Sequence, residues 1–200
     1  MEFSMDSAFN LGNALDTQRV FRHIMNSFSH PFRVCNIFDG AKNGPPEGDN
    51  SAIVSLCGVF LDNTVSLYVH GAPGLAAEIR EATYAKAAAV EDADYIILGD
   101  TRSFDHLEKV NAGSLVSPHK GATLIVIAPK LGGSEKIMAE GPGINGRAAF
   151  FADPAIAELL YRADALNIEY PKGFEFLFIT LQGDICAVPR HIKIHREGAA

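Results

Sequence analysis

Four arginines are the side chains of this sequence that could best bind a small anion. Arg19 and Arg22 lie on one segment with helical spacing, and Arg190 follows the last predicted hairpin. Arg147 follows a Gly-Pro-Gly corner. A guanidinium forms paired hydrogen bonds with phosphate or phosphonate oxygens. The sequence therefore predicts oxyanion sites at these positions, with an ordinary solvated arginine as the alternative at each.

The Gly-Pro-Gly corner itself is a second candidate for binding an anion. Gly141 and Gly143 could expose backbone N–H groups to an anion directly after a strand. A corner that simply ends a hairpin is the alternative, because glycine and proline are the usual residues of such turns.

No motif for covalent or metal catalysis accompanies these candidates. GxSxG and the Walker phosphate loop are both missing from the sequence. His191 and His195 have the i, i+4 spacing of metal-binding helices, but Ile192 and Ile194 alternate as in a strand. We therefore expect no metal site, and the residues by themselves identify no catalytic group.

Composition and charge restrict the possible partners. The chain has 200 residues, 48% of them hydrophobic, which suits a single folded domain over residues 1–200. Its 24 acidic residues exceed its 17 lysines and arginines, and the net charge of −7 argues against nucleic-acid binding. Net charge does not exclude one local basic cleft.

The cysteines and the apolar runs predict a cytoplasmic protein. Cys35, Cys57 and Cys186 are odd in number, far apart and outside any CxxC, which suits a reducing compartment. The start MEFSMDSAFN lacks the features of a signal peptide. The longest apolar run, residues 52–61, is about half the length that a bilayer requires, so we expect no membrane association.

The periodicity predicts five helices that would position these residues. Asp16 or Thr17 can cap the first, which ends near Phe28 and places Val20, Phe21, Ile24, Met25 and Phe28 on one apolar face. The others are predicted over residues 51–61, 73–86 and 103–110, and from the Asp153-Pro154 cap onward.

Strands are predicted between these helices. They cover residues 65–69, 95–98 and 123–127, a hairpin over 174–181 and 185–189, and residues 136–140 as an antiparallel partner of 123–127. Helix and strand alternate, so the predicted fold class is α/β, with one mixed central sheet flanked by helices.

Four ordered blocks resemble the PhnH family, the H subunit of the bacterial carbon–phosphorus lyase system of phosphonate metabolism. The first is Asp16-Thr17-Gln18-Arg19-Val20-Phe21-Arg22, continued by Ser29-His30-Pro31. The second runs from Gly113 through Pro118 to Gly121-Ala122-Thr123-Leu124-Ile125, and the third is Gly141-Pro142-Gly143-Ile144. The fourth is Tyr170-Pro171-Lys172-Gly173-Phe174 with Ala187-Val188-Pro189-Arg190. Glu175 stands where the family often has Asp, and Tyr170 where it often has Phe.

This resemblance implies a fold similar to a truncated pyridoxal-phosphate-dependent transferase, without pyridoxal phosphate and with no cofactor in this chain. It also implies a homodimer when the chain is isolated and assembly with the G, I and J subunits. The implied role lies in the step that joins an alkylphosphonate to the ribose of ATP and releases adenine, with ATP as substrate of the complex. Whether this subunit has its own catalytic activity stays open.

Three hypotheses follow from the sequence. The first is a non-catalytic or co-catalytic subunit of the phosphonate-processing complex. The second is a free-standing enzyme or binding protein for a small phosphonate or phosphorylated ligand, in which the four arginines share a cleft. The third, a histidine-based metallohydrolase, is the weakest because no third ligand has suitable spacing.

Overall fold

The computed structural model describes residues 14–41, 47–99 and 101–196, and it shows a mixed α/β fold. Residues 1–13, 42–46, 100 and 197–200 lie outside the described part of the chain, and the start MEFSMDSAFN is among them. The helices are α1 (Ala14–Ser29), α2 (Ser51–Phe60), α3 (Pro73–Thr83) and α4 (Pro154–Ala165). The strands are β1 (Cys35–Asn36), β2 (Ser66–His70), β3 (Lys86–Ala87), β4 (Tyr95–Leu98), β5 (Thr123–Ile127), β6 (Glu135–Glu140), β7 (Arg147–Ala152), β8 (Glu175–Ile179), β9 (Asp184–Val188) and β10 (Lys193–Arg196).

Seven strands form a central mixed sheet, which confirms the predicted fold class. Their order is β1-β9-β8-β5-β4-β2-β3. The run from β3 to β8 is parallel, whereas β9 pairs with β8, and β1 with β9, in the antiparallel direction. The predicted hairpin near the C-terminus is therefore confirmed, and it closes one side of a parallel sheet.

Helices cover both faces of this main sheet, which is why its strands are apolar without alternation. Leu124 and Phe176 point to the face covered by α4, whereas Ile125 and Leu177 point to the face covered by α1, α2 and α3. All four side chains are buried. Each buried leucine, isoleucine or phenylalanine contributes roughly 1.5–3 kcal/mol by leaving water.

Three further strands form a separate small sheet, with the order β10-β6-β7. The sequence correctly predicts a strand at β6, but the prediction that it pairs with β5 is wrong. Both sides of β5 are already occupied by β4 and β8, so β5 has no free edge for another strand. β6 instead pairs antiparallel with β7 and β10.

The predicted helix over residues 103–110 is also wrong. This segment contains a single 3₁₀ turn, Leu107–Lys109, and is otherwise irregular. Phe104, Leu107 and Val110 are buried at a spacing of three residues, so the apolar pattern reflects packing rather than an α-helix. The Nη2 atom of Arg162 donates to the Phe104 carbonyl oxygen at 2.7 Å and so holds the segment against α4.

The first helix is confirmed, but its buried stripe differs from the prediction. Val20 and Ile24 are buried, whereas Phe21 and Met25 are 46% and 48% exposed. Asp16 does not cap the helix from outside, because it lies within the first turn and is itself buried. Its carboxylate accepts a hydrogen bond from Arg19 at 2.7 Å, which compensates the buried charge.

Two helix boundaries have clear local causes. Asp153 caps α4 as predicted, because its Oδ1 accepts from the Ala155 N–H at 2.9 Å while Pro154 occupies the first turn. α3 ends before the predicted Lys86, since Tyr84 adopts a left-handed conformation with φ of 60°.

Within the described ranges, no helix is long and apolar enough to cross a membrane.

Candidate functional site

Three of the four blocks that resemble the family meet at one end of the main sheet, where β8 begins and β9 ends. Phe28, Ser29, Pro142 and Gly143 line an open depression of about 450 Å³ together with Glu175 and Pro189. These residues are distant in sequence but belong to blocks one, three and four or lie next to them. The fold therefore brings three of the four blocks to one surface.

The glycines of the corner are required by close packing. Gly143 has φ of 84°, and a Cβ atom there would lie 2.6 Å from Cδ of Pro31. Gly141 has φ of 147°, and a Cβ atom would lie 2.8 Å from the His191 carbonyl oxygen. The corner lies between β6 and β7 and packs against both the end of α1 and the segment before β10, which accounts for both glycines without an anion.

Arg190 is held by an ion pair that connects β8, β9 and block two. Its Nε donates to Oε1 of Glu175 at 2.6 Å, and its backbone N–H donates to Oε2 of the same carboxylate at 3.0 Å. Its Nη1 donates to the Pro118 carbonyl oxygen. Only 12% of the Arg190 side chain is exposed. Glu175, the residue that departs from the family pattern, thus neutralises the arginine that the sequence offers as an anion site.

Arg147 forms a more exposed pair with Glu140. Its Nε and Nη2 atoms both lie 3.3 Å from Oε2 of Glu140, and His195 Nε2 lies 3.6 Å from Oε1. Desolvation of Glu140 acts to raise the pKa of its carboxyl, but the hydrogen bond and charge of Arg147, aided by His195, lower that pKa overall. This pair links β6 to β7 directly across the small sheet.

The remaining two arginines lie on α1. Arg19 is paired with Asp16, whereas Arg22 is exposed and makes no ion pair with any described residue. Neither lines the depression or the second cleft described next. The structure thus places the four arginines in separate surroundings, rather than around the shared cleft of the second hypothesis.

A second cleft of about 440 Å³ lies between the end of α4, residues 167–174 and residues 188–195. That volume is typical of small-molecule sites. Buried apolar side chains form its floor, and these are Leu160, Phe174, Phe176, Val188, Ile192 and Ile194. The polar and charged side chains that line it are Asp164, Asn167, Glu169, Tyr170, Lys172, Arg190, His191, Lys193 and His195.

Cations outnumber acids around this cleft, in contrast to the chain as a whole. Among the described residues, three cationic side chains line it, and only two carboxylates do. The cations are Lys172, Arg190 and Lys193, and the carboxylates are those of Asp164 and Glu169. The rings of Tyr170 and His191 lie 4.8 Å apart, centre to centre. This cleft was not predicted from the sequence, although lysine, arginine and histidine are dense over residues 190–196 and could have indicated it.

Serine, threonine and cysteine nucleophiles are not among the described residues that line the cleft. The three cysteines are free thiols that lie elsewhere. Burial raises the pKa of the Cys186 thiol to about 12, and burial followed by the charge of Asp39 raises that of Cys35. Such thiols are protonated, and thus weak nucleophiles, at neutral pH.

The described residues offer little support for a metal site. His195 belongs to a strand, as the alternation of Ile192 and Ile194 indicates, and its nearest acidic neighbour is Glu140. No group of three or more histidine, cysteine, aspartate or glutamate side chains within 14–41, 47–99 and 101–196 could hold a metal ion.

Comparisons with known proteins match the chain over nearly its whole length. A model of the family described as "Bacterial phosphonate metabolism protein (PhnH)" matches residues 10–195. A putative C-P lyase subunit protein, HtxG, from Stutzerimonas stutzeri is 23% identical over 194 residues, covering 97% of this chain and 93% of that protein.

A second relative is the alpha-D-ribose 1-methylphosphonate 5-triphosphate synthase subunit PhnH from Rhizobium meliloti (strain 1021). It is 24% identical over 193 residues, which cover 91% of this chain and 92% of that protein. The family model alone spans far more than half of the sequence, and it includes all four blocks. The chain belongs to the PhnH family of bacterial phosphonate metabolism proteins.

Proposed function

We propose that this chain is a subunit of a carbon–phosphorus lyase system and supports transfer of an alkylphosphonate to the ribose of ATP. In that step an oxygen of the phosphonate bonds to ribose C1′, the C1′–N bond breaks, and adenine leaves with a proton. The product is a ribose 1-phosphonate 5-triphosphate. The observation that carries this proposal is the family match over residues 10–195, with two relatives named as subunits of such systems.

The proposal assigns this chain a supporting role, non-catalytic or co-catalytic, within the complex. The cleft offers cations and an apolar floor, and serine, threonine and cysteine are not among its described lining residues. Arg190, its most buried cation, is already neutralised by Glu175. A subunit that positions or stabilises its partners is consistent with such a surface.

The partners proposed are the G, I and J subunits, with a homodimer of this chain when it is isolated. The proposal further places the protein in the cytoplasm, since its three free cysteines suit a reducing compartment. It assigns a fold similar to a truncated pyridoxal-phosphate-dependent transferase, with no pyridoxal phosphate or other cofactor bound to this chain.

Reconstitution tests the proposed function. The G, I and J subunits, with any accessory subunit that the reaction needs, are purified with and without this chain and supplied with ATP and methylphosphonate. We expect adenine release only when this chain is present, and we expect it to copurify with the other subunits. Equal adenine release without it, or failure to copurify, would contradict the proposal.

A free-standing binding protein for a small phosphonate or phosphorylated ligand is the second candidate function. The cleft favours it, because Lys172 and Lys193 flank an apolar floor that could hold the organic part of such a ligand. Calorimetry of the isolated chain with ATP, methylphosphonate and inorganic phosphate tests it. Binding that is lost in Lys172→Ala and kept in Lys109→Ala, a change at an exposed site away from the cleft, would support it. Absence of heat with all three ligands would exclude it.

A further inference from the structure

The two sheets differ in how their outermost strands are protected. The main sheet ends in β1 and β3, which are only two residues long, so it offers almost no open edge. The small sheet ends in β7, which has six residues. Among the described residues, the backbone of 147–152 hydrogen-bonds only to β6. One long side of β7 therefore has unpaired N–H and C=O groups.

The sequence of β7 lacks the devices that usually block such an edge. Four apolar residues, Ala148 to Phe151, form its middle, and no lysine, proline or glycine interrupts them. Phe151 is 60% exposed. An open, apolar strand of this length favours pairing with a strand of another molecule, which would satisfy its backbone groups and cover its side chains.

The surface beside β7 is also apolar, and a ring contact with β7 fixes one of its side chains. The ring of Phe32 stacks on Phe150 with centroids 4.3 Å apart, although Phe32 has an unusual φ of 63°. Val34 next to it is 50% exposed. Phe32, Val34, Leu131 and Phe151 are among the residues that line a small hollow of about 70 Å³. The strand that covers β7 is therefore expected to carry apolar side chains.

The charges at the two ends of β7 indicate which strand fits. Arg147 begins the strand, and Asp153 follows its last residue. If a second copy pairs antiparallel with Phe150 opposite its own counterpart, Arg147 of each copy lies opposite Asp153 of the other. Arg147 pairs with Glu140 of its own chain, but 54% of its side chain is exposed. A parallel pair in register would instead place arginine beside arginine, and like charges directly opposite are destabilising. β7 is thus complementary to itself in the antiparallel direction.

We propose that β7 is the surface through which two copies of this chain associate, joining their small sheets into one continuous antiparallel sheet. A two-fold axis passes near Phe150, as expected for an interface built from identical patches. The inference rests on the homodimer included under the proposed function, and it adds the surface and register that the dimer would use. It is independent of the reaction that the complex carries out.

Substitution of Ala149 by lysine tests the surface directly. Ala149 is exposed in the middle of β7, and symmetry would place two added ammonium groups within the apolar strand pair. We expect the wild type to sediment at twice its mass of 21.5 kDa and the Ala149→Lys variant at once that mass. Ala77→Lys, the same change at an exposed position of α3, is the matched control and should remain dimeric.

Hydrogen exchange of the wild type tests the same surface without any variant, and so decides the case if Ala149→Lys fails to fold. The amides of residues 148–151 should be protected at high protein concentration and exchange faster on dilution. A wild type that is monomeric would overturn both the dimer and the surface. A dimer that survives Ala149→Lys, or whose 148–151 amides exchange equally at both concentrations, would overturn the surface alone.

Discussion

The main sheet and the small sheet bury their strands in different ways. The main sheet has helices on both faces and short strands at both edges, so nearly all of its surface is covered within the chain. The small sheet packs Ile137, Ala139 and Ile194 toward the core, while Phe151 and Arg147 on its other face are exposed. Stability is thus concentrated in the first sheet, and accessible surface in the second.

Residues of the third and fourth blocks lie at the seam between these two sheets. The Gly141 to Gly143 corner belongs to the small sheet but packs against the end of α1. Arg190 leaves β9 of the main sheet and leads toward β10 of the small one. The difference between the sheets teaches that Gly141 and Gly143 let the small sheet pack closely on its neighbours, whereas Arg190, at the same seam, holds β9 to β8 and to Pro118.

Truncation in the main sheet should have the largest effect. Phe178 is 1% exposed, so Phe178→Ala removes a large buried ring and should lower the free energy of unfolding by about 3–5 kcal/mol. Urea denaturation followed by circular dichroism measures this. Phe151→Ala, the same change on the exposed face of the small sheet, should cost far less. Equal losses would contradict the contrast between the sheets.

A change at the seam should have the next largest effect. Glu175→Gln keeps the shape of the side chain but removes the charge that faces Arg190, whose guanidinium is mostly buried. We expect a loss of roughly 1.5–3 kcal/mol, as is typical of hydrogen bonds to charged groups. The comparison is Glu108→Gln, at an exposed position in the 3₁₀ turn. Similar unfolding curves for both variants would show that the pair does not stabilise the seam.

Loss of the α4 cap should have a smaller effect. Asp153→Ala removes the acceptor of the Ala155 N–H, which typically costs about 1 kcal/mol. Asp153→Asn should retain most of the stability, since an amide oxygen also caps a helix. Thermal unfolding of the three proteins measures the difference. If asparagine is as harmful as alanine, the carboxylate acts through its charge instead.

The smallest expected effect is the pH dependence of the exposed pair on the small sheet. The pKa of Glu140 is lower in the folded protein than its ordinary value of 4.5. Glu140 therefore stabilises the folded state above pH 4.5, and this stabilisation is lost as the pH falls through the pKa of the folded protein. Glu140→Gln should therefore be slightly less stable than wild type at pH 7, and the difference should be smaller at pH 3. Denaturation at both pH values tests the sign, and a difference that grows in acid would refute it.

The sequence predicts the main sheet better than the small one for a physical reason. Strands such as Tyr95–Leu98 and Thr123–Ile127 are buried on both faces, so their apolar runs are visible without knowledge of their neighbours. β6 is also visible as a strand, but its partner depends on which edges are free in three dimensions. β7 contains alanine and exposed phenylalanine, so its burial pattern gives little signal.

The candidate site was predicted only in part. The structure brings residues of three blocks together, which was not predicted from the sequence, and the alternative of a hairpin-ending corner fits Gly141 and Gly143. The pairing of Arg190 with Glu175 could not be read from the sequence, because the two residues are 15 positions apart on neighbouring strands. Whether any of the four arginines binds an anion stays a prediction.

The path of the chain through the two sheets has a consequence for its synthesis. β5 and β8 are neighbours in the main sheet, but the chain builds β6, β7 and α4 between them. β10, which completes the small sheet, comes last. A chain emerging from the ribosome therefore cannot close either sheet until its final quarter is released. Until then the backbone edge of β5 that pairs with β8 is open, and we expect chains arrested near residue 170 to aggregate or to bind chaperones.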